Sequence, residues 1–511
     1  MKIFWKSRSF TVIELATFFW TIILVSILSC SPEPDTTGRQ LAEQYCQGCH
    51  LLPDPTALTK NTWEFEVLPL MAARLGHQAG RLSEIENLRK MNLFPDTTTL
   101  TAEEWLKLKN YFISAAPAFT VPSKDLMKIA SYIKGFQAST PSFQSKSPFI
   151  SMVHFDADNS HFFYGDAMNK SLNVLKIEED QQYSIELSGS PSHLTIRDEG
   201  CYVLTMGKVM PHNEKSGALI FLPKNKQGEW GKPETWINDL QRPVHASMGD
   251  LDGDGREDMV VASFGNYRGE LAWYSDIASP QRKKHVLRPL PGAIKSVITD
   301  FNRDGRPDII ALIAQGDEGF FLYLNRGNGS FQEQALMRFP PSYGSTYFEW
   351  IDVDKDGLED ILYVNGDNGD YLPIVKKFHG IRFFRNQGDE TFEEVFFLEH
   401  HGAFKAKAED FDEDGDLDIA AISYFPDYEN RPEESFVYYE NVGNFEFQAS
   451  TFEQQPSGKW LTMETGDIDG DGDIDIALGS AMFMTSEVPS PFRKNWRKRT
   501  GGLMVLENKL R

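Results

Sequence analysis

The sequence has 511 residues, 24% charged, 41% hydrophobic and 13% aromatic, with 39 glycines and 27 prolines. That balance excludes a disordered polyelectrolyte, a collagen and a multi-span membrane protein, and the length requires several domains or a repeat array. A net charge of −23 excludes a nucleic-acid binder, which needs a basic face for phosphates, and four cysteines exclude a dense disulfide framework.

Residues 1–29 place Lys2, Lys6 and Arg8 ahead of the apolar stretch Leu15–Leu28, the pattern of an export signal. The uncharged part after Glu14 makes about 21 Å of helix, short of the ~30 Å that a spanning helix needs. It ends at Ile27-Leu28-Ser29-Cys30, which resembles the lipobox of bacterial lipoproteins. The resemblance implies that Cys30 becomes the lipidated first residue, and Ser31 favours the outer membrane. Residues 30–37, polar and Pro-containing, read as a tether.

Cys46-Gln47-Gly48-Cys49-His50 has the spacing of c-type haem attachment. Two thiols at this separation add to the two vinyl groups on one porphyrin edge, and the next residue ligates iron from the same helical turn. A zinc site would need further ligands at matching spacing, and a thioredoxin-like pair would need a βαβ setting. Cys201, in an apolar run, reads as a buried free thiol.

The flanks, Gly38–Tyr45 and Thr101-Ala102-Glu103-Glu104, resemble the first and last helices of a small class-I-like cytochrome c domain. The second flank is a capping box, and it opens a helix with Trp105, Leu108 and Phe112 on one side. This resemblance covers residues 38–118 and implies one haem c with His50 as proximal ligand. For the sixth iron position, the stretch from Trp63 to Met71 resembles short cytochrome domains fused to propellers and points to Met71. Distance to the last helix points to Met91 as the alternative, with His77 third.

Beyond residue 140 an acidic nonapeptide repeats five times. Its members are Asp250, Asp252, Asp254 and Asp258; Asp300, Asn302, Asp304 and Asp308; Asp352, Asp354, Asp356 and Asp360; Asp410, Asp412, Asp414 and Asp418; and Asp467, Asp469, Asp471 and Asp475. Side-chain oxygens at positions one, three, five and nine, a glycine at six and a carbonyl at seven suit a hard cation of calcium size. Asn302 substitutes an amide for a carboxylate and weakens its site. An EF-hand is excluded, because position twelve is Val261, Ala311, Tyr363, Ala421 and Leu478 rather than Glu. The loops instead run into short apolar stretches typical of buried strands.

Each unit continues to a further strand, which in four of the five ends in Asn-x-Gly or Asn, such as Asn325-Arg-Gly327 and Asn386-Gln-Gly388. The whole resembles the FG-GAP (VCBS) repeat of integrin-like β-propellers. Two degenerate units, around Phe155–Asn159 and Leu194–Gly200, bring the expected number of blades to seven. The expected architecture is thus multidomain, α then all-β: signal 1–29, tether 30–37, cytochrome c-like domain 38–118, linker 119–145 and propeller 146–511.

Antiparallel strands place the acidic loops on one face and the long insertions Gly366–Gly380, Phe425–Glu434 and Ala481–Thr500 on the other. The insertions carry Tyr371, Tyr424, Phe425, Tyr428, Phe483 and Trp496, with a basic run at Arg493–Arg499. Loops gathered on a rigid scaffold suit a binding platform. The expected function is one-electron transfer at the periplasm or cell surface by a lipid-anchored protein. It would carry one haem c and about five Ca²⁺, and dock a redox partner or extracellular ligand. Two rivals are a propeller dehydrogenase that uses the haem as acceptor and a lectin-like adhesion module. Against the first stand the absence of a nucleophile motif, a dinucleotide fingerprint and a repeated Trp pattern.

Overall fold

The computed structural model describes all residues except 1–35, 78–81, 99, 142–148, 177–180, 227, 372, 483–487, 499–501 and 511. The export signal, Cys30 and most of the tether lie outside the described residues. Among those described, no helix is long and apolar enough to cross a membrane.

The first part is helical. Helix Thr36–Cys46 leads into the C-x-x-C-H motif, helical turns run through 60–74, and helices Leu82–Lys90 and Ala102–Ala115 follow. Thr101 caps the last helix as its sequence requires: its Oγ accepts from the Glu104 N–H at 3.2 Å, and Glu104 accepts from the Thr101 N–H at 2.9 Å. The apolar stripe Trp105, Leu108 and Phe112 is buried with Leu41, Ala42, Trp63 and Leu68. The first and last helices cross at Gly38, where a Cβ would lie 2.6 Å from the Lys107 carbonyl. Only a glycine permits that approach.

The second part is a seven-bladed β-propeller of antiparallel sheets. The inner strands of blades one to seven are Ile150–Asp156, Pro191–Arg197, Pro243–Gly249, Ala293–Thr299, Ser345–Ile351, Ala403–Glu409 and Trp460–Gly466. Each contacts the next, and the seventh contacts the first, so the ring closes. The second strands, such as Asp308–Ile313 and Asp360–Asn365, are buried along their whole length, because neighbouring blades cover both faces. Burying each Ile, Leu or Val there contributes roughly 1.5–3 kcal/mol.

Segment 119–145, expected as a linker, carries two strands. Phe136–Ser139 pairs antiparallel with Leu503–Asn508 and completes blade seven, and Ile129–Ala130 pairs parallel with the outer strand of blade six. The propeller therefore begins before residue 146. Among the described residues its last blade has three strands of its own, and the edge strand is met by a segment that precedes blade one.

Helices and propeller meet on the face opposite the acidic loops. Tyr371 and Ile374, from the insertion of blade five, pack on the helical core. The Arg74 guanidinium lies 5.2 Å from the ring centre of Phe94 and 5.6 Å from that of Tyr267, in blade three.

Candidate functional sites

The end of the first helix determines the geometry of the C-x-x-C-H motif. The N–H groups of Cys49 and His50 both point back to the Cys46 carbonyl, at 3.2 and 3.4 Å, so all three side chains leave one turn. Cys46 and Cys49 are free thiols. Burial, with the nearby Cys49 thiol adding to it, pushes the Cys46 thiol up to about 11. The His50 Nδ1 donates to the Leu51 carbonyl at 2.7 Å, which fixes the tautomer and leaves the Nε2 lone pair available to a metal.

Met71 is half-buried in helix Leu68–Arg74. Met91 is 37% exposed at the seam with the propeller, where its carbonyl accepts from Arg268 at 2.8 Å. His77 packs on Trp105 with ring centroids 5.7 Å apart, and its Nδ1 is buried without a hydrogen-bond partner among the described residues.

The acidic loops connect the first and second strands of blades three to seven. At position six the backbone is left-handed in every loop, with φ of 82° at Gly255, 83° at Gly305, 87° at Gly357, 100° at Gly415 and 95° at Gly472, which is why glycine stands there. The position-one carboxylate accepts the N–H groups that the turn presents: Asp250 receives Gly253 at 2.8 Å and Gly255 at 2.9 Å.

In four loops, three carboxylates each offer an oxygen within 4.8 Å of the others: Asp250, Asp252 and Asp254; Asp352, Asp354 and Asp356; Asp410, Asp412 and Asp414; Asp467, Asp469 and Asp475. In two of these loops, Oδ1 of Asp354 and Oδ1 of Asp410 are buried with no hydrogen-bond partner among the described residues. Clustered hard oxygens with unused lone pairs fit a divalent cation. In the loop of blade four, the Asn302 amide donates to Asp304 at 3.1 Å and Arg306 pairs with the same carboxylate.

Position nine does more than the sequence pattern suggests. Asp258, Asp308, Asp360, Asp418 and Asp475 are fully buried, and their carboxylates bind the backbone across the blade. Asp258 receives the N–H of Leu251 at 2.8 Å and of Asp276 at 2.7 Å, and Asp360 receives those of Val353 at 3.0 Å and Asn386 at 2.8 Å. Burial raises Asp360 to about 6 and Asp418 to about 7, against the pull of these hydrogen bonds.

Position four is also left-handed at non-glycine residues, with φ of 59° at Arg303 and 60° at Lys355. Their long side chains reach the position-six carbonyl of the next loop: Arg303 donates to Gly357 at 3.3 Å, and Lys355 donates to Gly415. The nonapeptide signalled a turn but not this lacing.

The insertion face is partly filled by the chain's own helices. Tyr371 is turned onto the helical core, while Tyr428, Phe492 and Trp496 cluster beneath a short helix, Ser490–Lys498. Arg493 and Lys494 are exposed on it. Phe483 and Arg499 lie outside the described residues.

No curated protein matches the sequence. Solved structures similar to it include a luciferin-regenerating enzyme (11% identity, 73% of this chain and 95% of that one, TM-score 0.37). A Saccharomyces cerevisiae complex of Dbp5 with Nup159 and Gle1 matches at 11% identity, 75% of this chain and 97% of that one, TM-score 0.41. Regucalcin from Agrobacterium tumefaciens, a calcium-binding protein, matches at 10% identity, 74% of this chain and 95% of that one, TM-score 0.34. Residues 300–363 and 410–478 match the FG-GAP-like repeat family, and these stretches hold the acidic loops of blades four to seven. The chain thus carries FG-GAP-like repeats on a seven-bladed propeller.

Proposed function

We propose that the chain is an exported, lipid-anchored c-type cytochrome that passes single electrons, with the propeller as its docking platform. One observation carries this reading: a single helical turn presents two unpaired thiols and an imidazole whose Nδ1 is already engaged by the Leu51 carbonyl. Cys46 and Cys49 would hold haem c through thioethers, His50 would be an axial ligand, and Met71, or Met91 in its place, would be the other. Haem c, when bound, supplies a reversible one-electron iron couple. The Leu51 carbonyl orients His50 and makes it a stronger donor. The crossed helices at Gly38 keep the turn rigid, and Arg74 adds a positive charge near Cys49.

The acidic loops would hold calcium as a structural ion, since it balances carboxylates that otherwise repel one another. Cys30 would anchor the chain to a membrane, and the domain of residues 38–118 would meet its redox partner beside the propeller. The test is the visible spectrum and mass of the exported protein. A reduced spectrum typical of thioether-linked haem and the added mass of one haem are expected, and both vanish in the Cys46→Ala/Cys49→Ala variant. Met71→Ala and Met91→Ala, made in turn, identify the second ligand by loss of the methionine–iron charge-transfer band. A colourless product sinks the proposal.

A further inference from the structure

The inner strands bring buried charge to the propeller axis, away from both the C-x-x-C-H turn and the acidic loops. The third residues of these strands in blades two to six are His193, His245, Lys295, Tyr347 and Lys405. This layer holds two lysines, two imidazoles and a phenol, and no carboxylate. The rings of His193 and His245 lie 4.3 Å apart. The ammonium groups of Lys295 and Lys405 lie 4.1 and 4.9 Å from the ring centre of Tyr347.

The next layer offsets this charge only in part, with one ammonium against two carboxylates. Lys407 lies 2.8 Å from Glu349 and 3.2 Å from Glu464. Lys405 comes no nearer than 4.0 Å to Glu464. Lys295 donates to the Phe348 carbonyl at 2.7 Å and has no carboxylate within ion-pair distance among the described residues. An ammonium carries three donors, so Lys295 keeps two without a protein acceptor. A buried charge is costly unless it is paired, and these two are not fully paired by the chain itself.

The layer borders water. Side chains of Lys405 and Glu464 keep 16% and 21% exposure, and those of Lys407 and Glu349 keep 16% and 12%, although inner strands surround them. That combination marks a narrow channel rather than a packed core. Its influence crosses the axis: Lys295 of blade four is affected by Glu464 of blade seven, and burial brings Lys295 down to about 7. At the insertion end, Phe404, Leu461, Val209 and Phe425 gather in an apolar cluster. Toward the acidic loops the lining turns polar, with Thr465 donating to Glu409 at 2.9 Å.

We propose that the channel binds a small oxyanion, a carboxylate or phosphate group, between Lys295 and Lys405, with His193 and His245 completing the polar layer. The anion supplies the acceptors that the two ammonium groups lack. Glu349 and Glu464 form a negative floor beneath it, so the site takes a compact headgroup and rejects extended polyanions.

Isothermal titration of the full chain with inorganic phosphate and with succinate, at constant ionic strength in chloride, tests this. Saturable one-to-one binding of at least one probe is expected, weakened roughly tenfold or more in Lys295→Met and in Lys405→Met, and unchanged in the exposed control Lys494→Met. Imidazole proton shifts of His193 and His245 on adding the probe, without change at His285, locate the anion in the unmutated protein should a variant fail to fold. The proposal is overturned by no saturable binding of either probe, by equal binding in both lysine variants, or by binding that leaves His193 and His245 unmoved.

Discussion

The side-chain amide of Asn325, in blade four, donates to the carbonyl of Leu251, in the acidic loop of blade three, at 2.8 Å. The same amide donates to Pro307 at 3.0 Å, and its oxygen accepts from Gly327 at 2.9 Å. One side chain, 2% exposed, therefore joins a turn, its own loop and the neighbouring blade. Asn508 repeats the device from blade seven to blade six, donating to Phe411 at 2.8 Å. Asn325→Ala leaves buried carbonyls without a donor and is expected to cost about 2–3 kcal/mol. Urea denaturation measures this, and a midpoint indistinguishable from that of the parent chain refutes the linking role.

Removal of divalent cations is expected to lower the melting temperature, and added Ca²⁺ to restore it, because ligands that bind only the folded state stabilise it by mass action. The loop of blade four, with Asn302 and the Arg306–Asp304 pair, should release its ion first. Calorimetry with and without EDTA decides the matter. A melting curve indifferent to chelator removes calcium from the account.

His401 is buried between two carboxylates, its Nδ1 2.7 Å from Glu434 and its Nε2 3.3 Å from Glu399. Burial alone lowers its proton affinity, but the two carboxylates outweigh it and raise His401 to about 9. A raised imidazole stabilises the fold fully below its unfolded value near 6.5, and this contribution fades as pH climbs through 9. The stake is roughly 3 kcal/mol. Stability measured from pH 6 to 10 should therefore fall more steeply in the parent than in His401→Gln; parallel curves contradict the assignment.

A chain begun at residue 146 lacks the strand Phe136–Ser139 and leaves Leu503–Asn508 as an open edge. Such edges recruit other chains, so this form should aggregate, whereas one begun at residue 129 should stay monodisperse. Light scattering distinguishes them, and equal behaviour of both forms argues against the closure.

The acidic loops were legible because their chemistry repeats in register: Asp at fixed positions and a glycine that only a left-handed turn requires. The capped helix Ala102–Ala115 was legible for the same local reasons. The outer strand of blade seven was not, since Phe136–Ser139 is short and pairs with residues far along the chain, which no local pattern announces. The channel layer was also hidden. Its residues differ from blade to blade, and only the ring brings Lys295, Tyr347 and Lys405 together. The pattern marks the position-nine aspartates as cation ligands, whereas the structure also gives them backbone partners at the end of a strand many residues away.

The reach of Arg303 to Gly357, and of Lys355 to Gly415, braces the acidic loop of blade four on that of blade five, and that of blade five on that of blade six. A loop that opens also withdraws a carbonyl from the basic side chain leaning on it. Opening of one loop is then expected to loosen the loop that leans on it, so that the loops of blades four, five and six are coupled through these two contacts.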